Sequence, residues 1–150
     1  MTSTSLIGAA TSGLLALASF ALASAAPAHA GDPAGVWLTQ NADARIRITS
    51  CGPAICGSII GLKDPIDSQT GKPETDKNNP DPSKRGRPLI GVQLLLGMMP
   101  AGRDRWSGRI YNADDGKTYD GSVTLQGLTS LKIEGCVAMF CGSEIWTRTK

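Results

Sequence analysis

Two pairs of cysteines, one acidic and amide-rich stretch, one basic cluster and three aromatic residues are the side chains here whose types and spacing could do chemistry. Cys51 and Cys56 are separated by four residues, and so are Cys136 and Cys141. An even count of this kind reads as two disulfides, with a four-thiolate zinc site as the competing reading. The zinc reading is the weaker one, because the spacing sits at the long edge of what zinc pairs use. Asp76-x-Asn78-x-x-Asp81 clusters oxygen ligands as a hard cation such as calcium requires. However, Pro80 stands where a ligand or a sharp glycine turn should be, and no bidentate glutamate follows. The same residues suit Asx turns that order a long loop. Lys84-Arg85-x-Arg87 offers either an anion site or an ion pair from Arg87 back to Asp76. Trp106, Tyr111 and Tyr119 either line a ligand cavity or fill a core. Asp76, Asn79, Arg87, Trp106, Tyr111 and Tyr119 are therefore the candidate ligand-binding residues.

No catalytic constellation stands beside them. The one histidine, His29, precedes the expected start of the mature chain. Without it, Ser/His and Cys/His nucleophile systems and His-ligated metals are excluded. Ser58, Ser107, Ser122 and Ser143 have no such base partner. Asp114 and Asp115 are adjacent, turn-forming residues, and neighbours in a tight turn do not flank a substrate bond as paired glycosidase carboxylates do. A glycine-rich phosphate loop is absent. The expectation is a binding protein rather than an enzyme, with no cofactor and no metal.

The first 30 residues carry no charged side chain, whereas the remainder holds 15 Lys and Arg against 13 Asp and Glu. An apolar run from Leu14 to Ala26 leads to Ala28-His29-Ala30, a small-x-small cleavage site. Residues 1–30 are expected to be a cleaved signal peptide and residues 31–150 a single domain, periplasmic or secreted. The apolar run is shorter than the roughly 20 residues of a membrane span and is broken by Ser19 and Ser24. A net charge of +2 is too small to argue for nucleic acid.

The elements that must position these residues are strands. Ala44, Ile46 and Ile48 alternate with Arg45, Arg47 and Thr49, and similar period-two patterns recur to the C-terminus. Eight strands are expected, over 35–39, 44–50, 56–62, 89–99, 105–112, 117–125, 130–135 and 142–149. Turn signals separate all but one pair, which is joined by a loop over 63–87. This spacing predicts an all-β, eight-stranded antiparallel up-and-down barrel, which removes its edges by closing. In that order the two cysteine pairs lie at opposite ends, out of reach of each other, so both disulfides are local. The long loop shares one end with the Cys136–Cys141 turn, the expected open mouth. Its 75–88 half is expected to pack on the barrel and its 64–74 half to be mobile.

Gly35-x-Trp37 opens the first strand and Trp146-Thr147-Arg148 closes the last. Strand ends that meet there would stack Arg148 on an indole and plug the opposite end. This pattern resembles the closing signature of lipocalins. The run Thr75-Asp76-Lys77-Asn78-Asn79-Pro80-Asp81-Pro82 is followed by Arg87-Pro88-Leu89-Ile90-Gly91, Trp106-Ser107-Gly108-Arg109-Ile110-Tyr111 and Asp115-Gly116-Lys117-Thr118-Tyr119. Together with the closing Trp146-Thr147-Arg148, these resemble the bacterial exported family called domain of unknown function 2147. The resemblance implies a small lipocalin-like barrel, secreted to the periplasm, with no established activity. A small apolar or amphipathic ligand at the mouth is the leading expectation. A filled barrel acting as a structural or protein-interaction module of the cell envelope is the alternative.

Overall fold

The computed structural model describes residues 31–150; the expected leader and its cleavage site lie outside the described residues. Eight strands follow one another: β1 (Gly35–Leu38), β2 (Ala44–Cys51), β3 (Ala54–Leu62), β4 (Gln93–Pro100), β5 (Arg105–Asn112), β6 (Lys117–Leu125), β7 (Ser130–Val137) and β8 (Phe140–Thr149). They form a closed barrel in sequence order, and β1 pairs with β8 to complete it. Each neighbouring pair is antiparallel, so the up-and-down reading holds.

The strand bounds differ from the sequence reading chiefly at two hairpins and one loop, each for a local reason. The β2–β3 and β7–β8 ladders run through their disulfides to two-residue turns, Gly52-Pro53 and Ala138-Met139, rather than stopping short of them. The Cys51–Cys56 and Cys136–Cys141 bonds thus staple hairpins at opposite ends of the barrel. The long connection extends to Val92 instead of Arg87. Gly91 has φ +100° and the Val92 amide bonds back to Leu89, which turns the chain before β4 can begin.

Inward positions of one half form a filled core. Trp37, Ile48, Met98, Val123 and Leu131 are buried there, with Ile55 and Trp106 beside them. This is the end at which the β2–β3, β4–β5 and β6–β7 turns lie. Its closure is ionic as well as apolar. Trp37 pairs with Arg148 across the β1–β8 seam, and the guanidinium lies 4.2 Å from the indole centroid. Arg148 also donates to the carbonyls of Ala34, Asp32 and Leu128, at 2.6, 2.8 and 2.7 Å. The Trp37 indole N–H donates to Pro33 at 2.9 Å. Gly35 is required beside them: its φ is +140°, and a Cβ would come within 2.6 Å of Arg148 Nη1.

Arg148→Ala should lower stability by about 1–2 kcal/mol through lost packing and cation–π contact. Urea unfolding followed by tryptophan fluorescence measures this, and an unchanged midpoint would show the plug to be dispensable.

Candidate functional site: the barrel mouth

The segment between β3 and β4 is ordered by its own polar groups. Its first part is a small ladder in which Ile66 bridges Pro73 and the Asp67 carboxylate accepts from the amides of Gln69 and Thr70. Its second part is closed by a Thr75–Pro88 bridge and a 3₁₀ turn at Pro82–Lys84, capped by Asp81. Both parts are therefore built, where only the second was expected to pack.

Asp76 gathers the second part onto the barrel. Its side chain is fully buried. Oδ1 accepts from the Tyr111 hydroxyl at 2.6 Å, and Oδ2 from Asn79 Nδ2 at 2.8 Å and from Arg87 Nε and Nη2 at 3.0 and 2.7 Å. Burial alone would raise the Asp76 pKa, but the bonds from Tyr111, Asn79 and Arg87 outweigh it and hold the carboxyl below its ordinary range. Burial, together with the bond to Asp76, pushes the Tyr111 phenol up to about 12. The arrangement is a satisfied ion pair with two neutral donors.

The neighbouring residues of the motif turn to other partners. Asn78 donates to the Asp114 and Ala113 carbonyls, at 2.8 and 3.3 Å, and so ties the loop to the β5–β6 turn. Approach there is so close that a Cβ on Gly116 would lie 1.8 Å from the Asn78 carbonyl oxygen, and Gly116 itself has φ +71°. The Asp81 carboxylate accepts from Ser83. The two carboxylates that suggested a cation site thus each accept from protein donors, and Asn78 is engaged through its amide nitrogen. No group of three His, Cys, Asp or Glu suited to a metal occurs among the described residues.

With the loop held in this way, a cavity of about 920 Å³ opens at the same end. It reaches inward to Ile59, Ile133 and Trp146, with Leu62, Leu94 and Ile110 as further apolar wall. The β7–β8 hairpin forms the rim facing the loop. Val137, Met139 and Phe140 project from it and are 55%, 91% and 80% exposed; Val137 and Phe140 also line the cavity. Lining at the remaining edge comes from Thr39, Asp43 and the Asn112–Asp114 turn.

Of the expected ligand residues, Tyr111 and Tyr119 line this cavity. Tyr119 donates to Asp115, and that bond raises the phenol pKa. Asp76, Asn79 and Arg87 are brought together, but they face one another and not the open space. Trp106 packs in the filled half, opposite Val123.

Sequence reasoning missed Glu144, Trp146 as a wall residue, and a row of glycines. Gly108, Gly121, Gly135 and Gly142 are successive register partners across β5 to β8. A Cβ would press on Met98 at Gly108 and on the Glu134 carbonyl and Ile110 at Gly121, would make ordinary contact with Tyr119 at Gly135, and at Gly142 would meet nothing within 4 Å. Gly142 lines the cavity and therefore leaves part of its wall bare. The signal was present as glycines inside two strand patterns, Gly108 and Gly121, and at the ends of two others, where glycine marks close approach or space.

The sequence profile of a bacterial family described as uncharacterised, DUF2147, matches residues 35–148. The chain belongs to the DUF2147 family. Among solved structures, this DUF2147 chain is similar to protein HP1028 of Helicobacter pylori, described as belonging to the lipocalin family. The TM-score is 0.66 at 22% identity, over 79% of this chain and 84% of that one. That likeness carries the lipocalin-type fold. No curated protein matches the sequence.

Asp76→Ala should destabilise the protein by about 3 kcal/mol, because it strands the buried Tyr111 hydroxyl and the Asn79 amide. The pH dependence has a definite sign. The folded Asp76 pKa is depressed, so its contribution is complete above the ordinary value near 3.8 and is lost as pH falls from there through the folded value. Tyr111 acts in the opposite sense: its contribution is complete below pH 10 and is lost as pH rises through about 12. Unfolding midpoints measured across pH for the parent and Asp76→Asn should differ most at neutral pH and converge in acid. Parallel curves would mean that Asp76 does not carry this linkage.

Proposed function

We propose that this protein binds a small, partly apolar molecule in the mouth cavity and does not transform it. The observation that carries the reading is the cavity itself. One half of the barrel is packed with large side chains, while the other keeps about 920 Å³ behind an apolar wall. That size suits a single ligand in an eight-stranded barrel. Entry lies between the loop that Asp76 fastens and the apolar rim at Val137 and Phe140. Tyr111 and Tyr119 are the aromatic candidates from the sequence that remain at this site. Asp76, Asn79 and Arg87 act one step back, by holding the loop that forms its side.

Gly142 provides a direct test. Its backbone is not in the left-handed region, and a side chain there meets open space. Gly142→Leu should fill the cavity at little cost in stability. The parent should enhance the fluorescence of the neutral dye N-phenyl-1-naphthylamine, and Gly142→Leu should lose most of that enhancement. Equal enhancement in both, or none in the parent, would favour the filled-barrel envelope module over a ligand carrier.

Export to the periplasm or beyond belongs to the same reading. Both disulfides suit an oxidising compartment. The Gly31 nitrogen lies 2.6 Å from the Asp104 carboxylate, and a Cβ on Gly31 would collide with Leu125. Cleavage after Ala30 would turn that nitrogen into an ammonium and the contact into an ion pair. Intact mass of the exported protein should show loss of residues 1–30 and of four thiol hydrogens. A retained leader or a titratable thiol would contradict it.

A further inference from the structure

Charge is distributed unevenly over this barrel. The whole chain is net positive, at +2, yet the cavity lining is acidic. Asp43, Asp64, Glu74, Asp114 and Glu144 line it against only Lys63 and Lys77. No arginine lines it, although the chain holds eight arginines against seven lysines. Lys77 is already opposed by Glu74 and Asp67, at 3.6 and 3.8 Å. A concave, low-dielectric wall focuses such a field and raises the local concentration of the opposite charge.

Glu144 gives the field a fixed point inside the barrel. It pairs in register with Ile133, whose side chain is buried in the interior, and lies two residues before buried Trp146 on the same face of β8. The Trp146 indole N–H donates to its carboxylate, which orients the side chain. No Lys or Arg forms a salt bridge with Glu144 among the described residues. The same wall carries the rings of Trp146 and Tyr119, whose π faces attract cations. A carboxylate held among aromatic and aliphatic side chains, in a cavity without a guanidinium, suits one ligand chemistry.

We infer that the cavity selects an amphiphilic organic cation, an amine or quaternary ammonium with an apolar body, and that Glu144 is the residue that receives its charge. This rests on the cavity-binding reading above and adds the sign of the ligand to it. The apolar tail would lie against Ile59, Leu94 and Ile110, and the bare backbone at Gly142 leaves room for the headgroup.

Three ligands with the same ten-carbon chain separate the possibilities: decyltrimethylammonium, decanol and decanoate, each below its micelle concentration. Calorimetric titration of the mature, disulfide-bonded protein should rank them in that order, the cation binding at least about tenfold tighter than the alcohol. Glu144→Gln keeps an oxygen to accept from Trp146 and removes the charge. It should weaken the cation about tenfold and leave decanol unchanged. Asp114→Asn, on the exposed β5–β6 turn, is the second variant and should weaken the cation by a smaller factor. If decanol or decanoate binds as well as the cation, or if both variants leave the cation unaffected, the charge assignment is overturned while cavity binding stands. If none of the three binds and N-phenyl-1-naphthylamine also fails, the cavity reading itself falls and this inference with it.

Discussion

A carboxylate sealed from water is costly unless every lone pair is met, and Asp76 is sealed completely. The mouth of this barrel depends on how that cost is offset. Tyr111 comes from β5, Asn79 from three residues along the loop, and Arg87 from the far limb of the same loop. One anion therefore joins three stretches of chain that have no apolar reason to meet. The loop it holds carries few large apolar residues, and Ile66 and Ile90 within it are exposed. Leu89 and Val92 anchor its last residues in the core, but hydrophobic burial could not have fixed the polar stretch before them. A buried ion pair is a poor source of net stability but a strong source of register, because a displaced loop would leave the charge unpaired. Here the register keeps a polar loop beside the cavity instead of over it.

The interior is divided by side-chain size. Toward the plugged end, inward positions are Trp37, Ile48, Met98, Val123 and Leu131, which fill the cross-section. Toward the mouth they include Gly135 and Gly142, with Ile59 and Ile133 at the depth where the cavity ends. An eight-stranded barrel is wide enough for either outcome, so the identity of a few inward residues decides which half is open. The plug also explains why the open half can persist. Arg148 ties the β1–β8 seam to Ala34, Asp32 and Leu128, so closure of the sheet does not rely on packing at the other end.

Much of this was legible in the sequence because strands with one buried face write a period of two, and turns write Gly, Pro, Asn and Asp. The eight strands, their order, the opposite placement of the disulfides and the Trp37–Arg148 contact all follow from that pattern and from closure. The Asp76–Arg87 pair was legible too, as one of two alternatives, because opposite charges flanked a proline-rich loop. What could not be read was orientation. Asp76 and Arg87 as a pair and Asp76 and Arg87 as ligand contacts leave the same letters in the sequence. Trp106 and Trp146 sit in similar alternating runs, yet one packs in the filled half and the other walls the cavity, and only the depth of each along the barrel distinguishes them. Gly135 and Gly142 were read as strand ends on either side of the Cys136–Cys141 turn. In fact the ladder passes through both, supported by the Cys136–Cys141 staple two positions from the turn.

That staple and the Asp76 cluster serve the mouth from opposite sides by different physics. On the loop side, fixed polar partners set the position of a segment that has little apolar surface. On the hairpin side, a six-residue disulfide ring closes the tip that carries the exposed apolar residues Val137, Met139 and Phe140. A short covalent ring contributes little to global stability in the chain-entropy account, so its effect here is local shape. Each jaw is held by contacts within the protein. On the proposed binding reading, a ligand would then not have to supply the free energy of ordering the walls. On the same reading, its affinity would be set by the apolar area it buries and by the charge it meets at Glu144.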